Sequence, residues 1–406
     1  MADDPIRARA HKLLARGAHA DAVEQFRRII RLPGVTADDY ACLAQALTAT
    51  GRLKEAEVAL RAAIALVPGA ADLHACLGQV MVQSGQRVPA VASFETALKL
   101  DRSHWAAADL VAVKAQITES VHSWHLPMLG DHARNAAFAT AIAAAVRPDD
   151  VVLDIGTGSG LLAMMAARAG ARHVYACEML PDLAALARIV VAQNGFADRI
   201  TIIAKPSAEL VVGVDLPERA SLLVTEIFDA LLIGEGALPA IHHARQHLLT
   251  PDARIIPAGG TVSGQLVSFP RLKPLFPLTT LCGFDMRAFA AHALDKQFYP
   301  IVAETEQIER LSAPSVILDV DFLAPIVTER RWTCTLEAQQ SGVAQALLLW
   351  LDLRLDGDTM LSSGPGGAAR HWNPVAFLLD QERSVVPGER VEIGCRMGAN
   401  VLHFST

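Results

Sequence analysis

Small and apolar positions recur through residues 1–104 at a fixed interval of 34: Gly17, Gly51 and Gly85, then Ala22, Ala56 and Ala90, then Phe26, Leu60 and Phe94. Apolar residues at helical spacing flank each glycine. The pattern predicts three pairs of antiparallel helices, with the glycine at the turn and the alanines where the helices approach. Ala44 and Gly78 are small for the same reason. Residues 105–147 continue as helix, with Trp105 to Val113 and Arg134 to Val146 rich in alanine. At Val151 the texture changes. Short apolar runs (Val151 to Asp154, Val174 to Cys177, Ile200 to Ile203, Leu222 to Thr225) alternate with helical stretches at Leu161 to Arg168 and Leu183 to Gln193. That order predicts a parallel sheet with crossover helices over 148–256. After Pro257, β-rich runs separated by Pro and Gly (Val262 to Val267, Ser315 to Val320, Trp332 to Leu336, Ala346 to Leu353, Val391 to Cys395) predict a β-sandwich or barrel over 257–406.

A chain of 406 residues exceeds one ordinary core, and 52% hydrophobic against 19% charged residues argues against disorder, so two or three domains are expected. The cysteines (Cys42, Cys76, Cys177, Cys282, Cys334, Cys395) are scattered without Cys-x-x-Cys spacing, which points to reduced thiols in a cytoplasmic protein and to no metal site. The segment Asp3 to Arg9 lacks the apolar core of a signal peptide, and no apolar run approaches ~18 residues, so neither secretion nor a membrane partner is expected. A net charge of -7 without a basic run disfavours nucleic acid and mildly favours cationic partners.

In the second copy of the repeat, Tyr40, Leu43, Ala44, Leu47, Gly51, Ala56, Leu60, Ala63 and Pro68 stand where a tetratricopeptide repeat places its packing residues, and His74, Leu77, Gly78, Met81, Gly85, Ala90, Phe94 and Ala97 follow in the third. Stacked hairpins of this kind present a concave face, the expected docking surface for a protein partner.

Val151-Val-Leu-Asp-Ile-Gly-Thr-Gly-Ser-Gly160 runs from a buried strand into a glycine turn and a helix. Gly156 and Gly158 let the backbone approach a ligand, and the helix start offers free N–H groups. A dinucleotide fingerprint needs G-x-G-x-x-G, yet Leu161 stands where its third glycine belongs. NAD is therefore disfavoured. The G-x-G-x-G form after Asp154 resembles the S-adenosylmethionine motif of class I methyltransferases, which have a Rossmann-like α/β domain. Glu178, ending the second strand, is placed to accept from both ribose hydroxyls.

Beyond the fourth strand lie two acids, Glu226 and Glu235, in Thr225-Glu-Ile-Phe-Asp-Ala-Leu-Leu-Ile-Gly-Glu-Gly236. This resembles the double-Glu loop of protein arginine methyltransferases. His125-Leu-Pro-Met-Leu-Gly-Asp-His-Ala-Arg134 looks like that family's His-x-x-Met-x-x-Asp-x-x-Arg segment, Arg370-His371-Trp372 resembles its Thr-His-Trp loop, and Gly283 to Met286 resembles a stretch around its dimerisation arm. The Gly-Glu-Gly form and the repeats look most like the branch of repeat-bearing symmetric dimethylating and of monomethylating members.

The resemblance implies S-adenosylmethionine as cofactor, an arginine-containing protein or peptide as substrate, and a homodimer using about 271–300 as a helical arm. It implies that Glu226 and Glu235 grip the guanidinium and aim one nitrogen at the methyl group. It also implies Arg134 on the cofactor's carboxylate, His125 near the cofactor, Ser207 on the adenine, Asp131 and His371 as a proton-accepting dyad acting through Glu235, and Met128 and Trp372 as channel walls. Where the family carries Trp-Met-Gly-Tyr, this chain has Ile227-Phe-Asp-Ala230, so Asp229 is expected to reach substrate; Arg370 replaces the threonine. Two other readings remain open, a small-molecule methyltransferase on the same fold and a non-catalytic repeat scaffold.

Overall fold

The computed structural model describes residues 5–269, 280–288, 298–300, 308–398 and 400–405. The chain divides into two compact units, residues 1–122 with 180–186, and residues 123–179 with 187–406.

The first unit holds α1 (Pro5–Ala15), α2 (His19–Ile29), α3 (Ala37–Ala49), α4 (Leu53–Leu66), α5 (Ala71–Gln83), α6 (Arg87–Leu100) and α7 (Ala106–Ser120). Gly17, Gly51 and Gly85 occupy the turns at φ +75°, +73° and +80°, a conformation that costs glycine nothing and an L-residue about a kcal/mol or more. Ala22, Ala56, Ala90, Phe26, Leu60 and Phe94 are all buried in one continuous core, as their spacing predicts. At Gly78 a Cβ would stand 2.6 Å from the Phe94 ring, so α5 and α6 pack closely only because that side chain is missing.

The second unit begins with α8 (His125–Leu129) and α9 (His132–Ala145). Strands β1 (Val151–Ile155), β2 (His173–Cys177), β3 (Ile200–Ile203), β4 (Ala220–Thr225) and β5 (Leu249–Ile256) then form a parallel sheet in the order β3-β2-β1-β4-β5. Helices α10 (Leu161–Ala169), α11 (Pro181–Gln193) and α12 (Ala237–His247) are its crossovers. Every residue of β1 is buried, as a central parallel strand requires. The apolar runs do not announce β5, because Pro251, Asp252 and Arg254 interrupt it; its place at the sheet edge is what tolerates them.

Beyond Pro257 the chain is β-rich, as expected. Strands β6 (Gly259–Ser268), β7 (Thr280–Leu281), β8 (Phe284–Asp285), β9 (Phe298–Pro300), β10 (Glu309–Arg310), β11 (Ser315–Asp321), β12 (Arg330–Glu337), β13 (Gly342–Arg354), β14 (Met360–Ser362), β15 (Val375–Val385), β16 (Arg390–Met397) and β17 (Leu402–Ser405) follow in order. One antiparallel sheet runs β10-β6-β13-β15-β9, with β11 also on β6 and β14 on β13, and a second runs β12-β16-β17. The helical arm expected at about 271–300 lies mostly outside the described residues; within them are the β7–β8 hairpin and β9.

Candidate functional site

The carboxyl ends of β1, β2 and β4 converge where the strand order reverses, the position at which open α/β sheets bind ligands. Gly156, Gly158 and Gly160 follow β1 with φ of +73°, +55° and +85°. A Cβ on Gly156 would overlap Ile227 Cγ2, so this glycine admits the segment that carries Glu226. Around Gly158, by contrast, a Cβ would meet nothing within 4 Å, which leaves an open cradle. Gly158 donates its N–H to Glu178 Oε2 at 3.1 Å, fixing the acid beside the turn. Asp154 is fully buried inside β1; Thr157 Oγ1 donates to its Oδ2 at 2.6 Å, while its Oδ1 has no partner. Burial pushes this carboxyl up to about 7. Ser207 opens a short turn, Ser207–Glu209, after β3, and is half-buried.

A second set of groups comes from α8, α9, the loop after β4 and the segment 370–373. Asp131 caps α9: its Oδ1 accepts from Arg134 N at 3.0 Å. Its Oδ2 accepts from Arg370 N at 2.6 Å, His371 N at 3.1 Å and His371 Nδ1 at 3.0 Å. Burial opposes ionisation, but these hydrogen bonds outweigh it and hold the carboxyl down at about 2. Asp131 and His371 thus form the expected dyad. Burial lowers the His371 pKa, so with Nδ1 donating to Asp131 its Nε2 is left as an acceptor. That Nε2 is buried without a hydrogen-bond partner and lies 4.0 Å from Glu226 Oε1. The dyad therefore faces Glu226.

Glu226 follows β4 directly. Arg134 Nη2 pairs with its Oε2, with the two side chains 3% and 5% exposed. Arg134 and Glu226, expected to hold different ligands, touch each other. Burial raises Glu226 to about 7, with Arg134 acting against the rise and Glu235 adding to it. Arg134 Nη1 also donates to Asn135 Oδ1 at 2.9 Å, while its Nε is buried without a partner. Glu235 differs from Glu226 in being exposed. Asp229 was expected to reach substrate, but its Oδ1 accepts from Leu231 N at 3.1 Å and Gly234 N at 2.9 Å. It folds the loop between the two acids, and a Cβ on Gly234 would overlap its Oδ2. Leu232, buried at φ +77°, completes that turn. Trp372 is buried, and its Nε1 donates to Phe228 O at 2.8 Å, tying segment 370–373 to the acid loop.

These groups enclose a cavity of about 300 Å³ whose lining includes Glu226, Glu235, Met128, Asp229, His371 and Trp372. Trp124, Pro127, Phe228, Arg370 and Asn373 also line it. No motif marks Trp124 or Asn373, though each adjoins a residue that one does. Trp124 stacks on the buried His125 at 3.9 Å between ring centroids. A larger cleft of about 370 Å³, between α12, β5 and residues 323–326, includes no carboxylate in its lining. In the first unit, His11, Asp38 and Cys42 bring possible ligand atoms within 4.8 Å of one another, a grouping invisible in the cysteine spacing.

Residues 277–404 match the family described as the arginine methyltransferase oligomerization subdomain, and residues 129–238 match ribosomal protein L11 methyltransferase. The chain is 39% identical over 280 residues to an arginine N(omega)-methyltransferase of Streptomyces achromogenes subsp. streptozoticus, covering 69% of this chain and 77% of that one. It is 34% identical over 303 residues to protein arginine N-methyltransferase 7 of Danio rerio, covering 67% of this chain and 44% of the relative. Among solved structures it resembles the Trypanosoma brucei PRMT1 enzyme–prozyme heterotetrameric complex with AdoHcy, at a TM-score of 0.62 and 23% identity over 70% of this chain and 92% of that one. Protein arginine methyltransferase 10 of Arabidopsis thaliana follows at 0.59 and 19%, over 71% and 93%. At these identities the structures speak to fold alone.

Proposed function

The chain belongs to the arginine methyltransferase family, and on that premise we propose that it transfers a methyl group from S-adenosyl-L-methionine to a guanidinium nitrogen of arginine in a protein or peptide. The product would be monomethylarginine and, where a second transfer follows, symmetric dimethylarginine. The observation that carries this reading is the presence of Glu226 and Glu235 in the lining of one cavity, with the Asp131–His371 dyad directed at the first of them.

The cofactor is S-adenosyl-L-methionine, and the residues present suit it. The open cradle at Gly158 and Glu178 beside it would hold the nucleoside; Arg134, whose Nε lacks a partner, would meet the carboxylate. Ser207 and His125 are the further candidates. When bound, the cofactor supplies an electrophilic methyl group on a sulfonium. Arginine is a poor nucleophile because its positive charge is delocalised over the whole guanidinium group. Two carboxylates would offset that charge and fix which nitrogen faces the methyl group. His371 Nε2, oriented by Asp131, would take the released proton by way of Glu226 Oε1.

A second reading, in which free arginine is the acceptor, is favoured by the name of the Streptomyces relative. Labelled S-adenosylmethionine offered with an Arg-rich peptide, its Lys counterpart and free arginine separates the two. Label on the Arg peptide supports the first reading, label on free arginine alone supports the second, and label on neither sinks both.

The helical unit would be a tetratricopeptide array that recruits substrate. What supports this is the period of 34 and a cavity of about 260 Å³ between α5, α6 and α7, apolar at Val82, Phe94 and Val113 and polar at Gln79 and Asp109. A homodimer through the β-rich region, with 271–300 as arm, is supported by the oligomerization-subdomain match and is tested by light scattering of the whole protein and of an arm deletion. No described helix is long and apolar enough to cross a membrane, and dispersed thiols support a cytoplasmic location.

A further inference from the structure

The cysteines stand far apart in the chain, yet two of them meet. Cys334 lies in β12 and Cys395 in β16, 61 residues later, and their Sγ atoms are 3.8 Å from one another. The antiparallel register brings this about. Cys334 is opposite Ile393 and Trp332 is opposite Cys395, so the two cysteines are diagonal neighbours on one face of the ladder. That face is the inner one, since Leu336, Ile393 and Met397 beside them are buried whereas Thr333, Thr335 and Arg396 are exposed.

The two sulfurs are not equivalent. Cys395 is 4% exposed whereas Cys334 is half-buried, so a small solute reaches Cys334 first. Cys395 Sγ donates to Cys334 Sγ, Trp332 Nε1 donates to the same sulfur at 3.1 Å, and the Arg330 guanidinium lies over the Trp332 ring, 5.2 Å from its centroid. As a thiol, Cys334 can turn its own proton to Ile317 O at 3.5 Å. The hydrogen bond from Cys395 lowers the Cys334 thiol below its ordinary value; Trp332 and the Arg330 charge act with it, and burial acts against it. Cys395 is raised by that same hydrogen bond and then by burial. One thiol is set to ionise and the other to keep its proton, the asymmetry of an attacking and a resolving sulfur.

We propose that Cys334 reacts with hydroperoxides and that Cys395 resolves the product into a disulfide between β12 and β16. The Cys334 thiolate attacks one peroxide oxygen: an S–O bond forms, the O–O bond breaks, and the departing hydroxide or alkoxide takes up the proton that Cys334 had released. Cys334 is then a sulfenic acid. The Cys395 sulfur attacks the Cys334 sulfur, the S–S bond forms as the S–O bond breaks, and the hydroxide that leaves takes the Cys395 proton to become water. The two thiols together lose two electrons and the peroxide gains them. The gap to be closed, from 3.8 Å to the about 2.0 Å of a disulfide, is within reach of side-chain rotation. The bond closes a ring of chain over residues 334–395, and that ring includes His371 and Trp372 of the cavity wall.

The test exposes the full-length protein, purified in reduced form, to equimolar hydrogen peroxide, blocks the remaining thiols and maps the peptides by mass spectrometry with and without dithiothreitol. The peptide pair joined through Cys334 and Cys395 is expected as the main oxidised species, about tenfold above any other cysteine pair, and is expected to vanish on reduction. In Cys395→Ser the intermediate should persist, so that dimedone labels Cys334 about tenfold more than in the wild type, while in Cys334→Ser the Cys395 thiol should stay unmodified. Cys395→Ala gives the same reading where a buried serine prevents folding. A wild-type protein whose Cys334 is taken to sulfinic acid without the cross-link overturns the proposal. So does a cross-link formed preferentially through the exposed Cys282, or no modification of Cys334 at all.

Discussion

Arg134 and Glu226 meet as an ion pair shut off from solvent, and this makes the two acids of the loop unequal. Removing the Glu226 side chain leaves a buried guanidinium without its acceptor, whereas Glu235 is exposed. Both Glu226→Gln and Glu235→Gln are expected to abolish methyl transfer. Of the truncations Glu226→Ala and Glu235→Ala, only the first is expected to lower unfolding free energy substantially, by about 2 kcal/mol. Denaturant titrations of the two truncations check this; equal stabilities would mean that the pair contributes nothing in solution.

The burial of Glu226 sets a pH dependence. With its carboxyl raised to about 7 by burial, it is protonated in mildly acidic solution and cannot grip a cation. A plot of kcat/KM against pH is expected to rise through about 7, with close to tenfold loss per unit below it. Stability moves the other way. The folded value lies above the ordinary 4.5, so this group's stabilising contribution is complete below 4.5 and is lost as pH rises through about 7. Asp131 is opposite in sign: its contribution is present above 3.8 and is lost as pH falls through about 2. Melting temperatures across pH, for wild type and Glu226→Gln, separate the two.

The turn between the acids depends on Asp229 and Gly234. Asp229→Ala removes the acceptor of two backbone N–H groups and is expected to cost about 2 kcal/mol and to raise the KM for the acceptor more than tenfold. Asp229→Asn keeps an oxygen for those donors, so it should recover most of the loss. If Asn and Ala variants behave alike, the negative charge of Asp229, and not its place in the turn, is what matters.

Gly156 and Gly158 both have positive φ but different surroundings. Alanine at 156 would overlap Ile227, the neighbour of Glu226, whereas alanine at 158 would stand in open space. Gly156→Ala is expected to lower both stability and transfer, by about 2 kcal/mol and at least tenfold. Gly158→Ala should chiefly weaken S-adenosylhomocysteine binding, measured by calorimetry.

Much of this was legible in the residues. The interval of 34 located Gly17, Gly51 and Gly85 in left-handed turns because only glycine adopts that conformation freely, and a steric rule of that kind is written one residue at a time. The same holds for the glycine turn after β1. Strand β5 was hidden because an edge strand need not be apolar. The Arg134–Glu226 pair was hidden for another reason: both residues read as ligand holders, and nothing in their spacing says that they face one another. The part of Asp229 in folding the loop was hidden as well, since a carboxylate in a loop looks the same in sequence whether or not it accepts from the loop's own backbone.

Asp131 accepts from residues 239 and 240 positions further along the chain. During synthesis at roughly 5–20 residues per second, that interval lasts on the order of ten to fifty seconds. The parallel sheet can close once Ile256 has been made, and Asp131 already caps α9 by then, but its second oxygen waits for segment 370–371. A nascent chain can therefore close its sheet and cap α9 well before the second oxygen of Asp131 meets its donors, so this pocket wall is joined late in the life of the growing polypeptide.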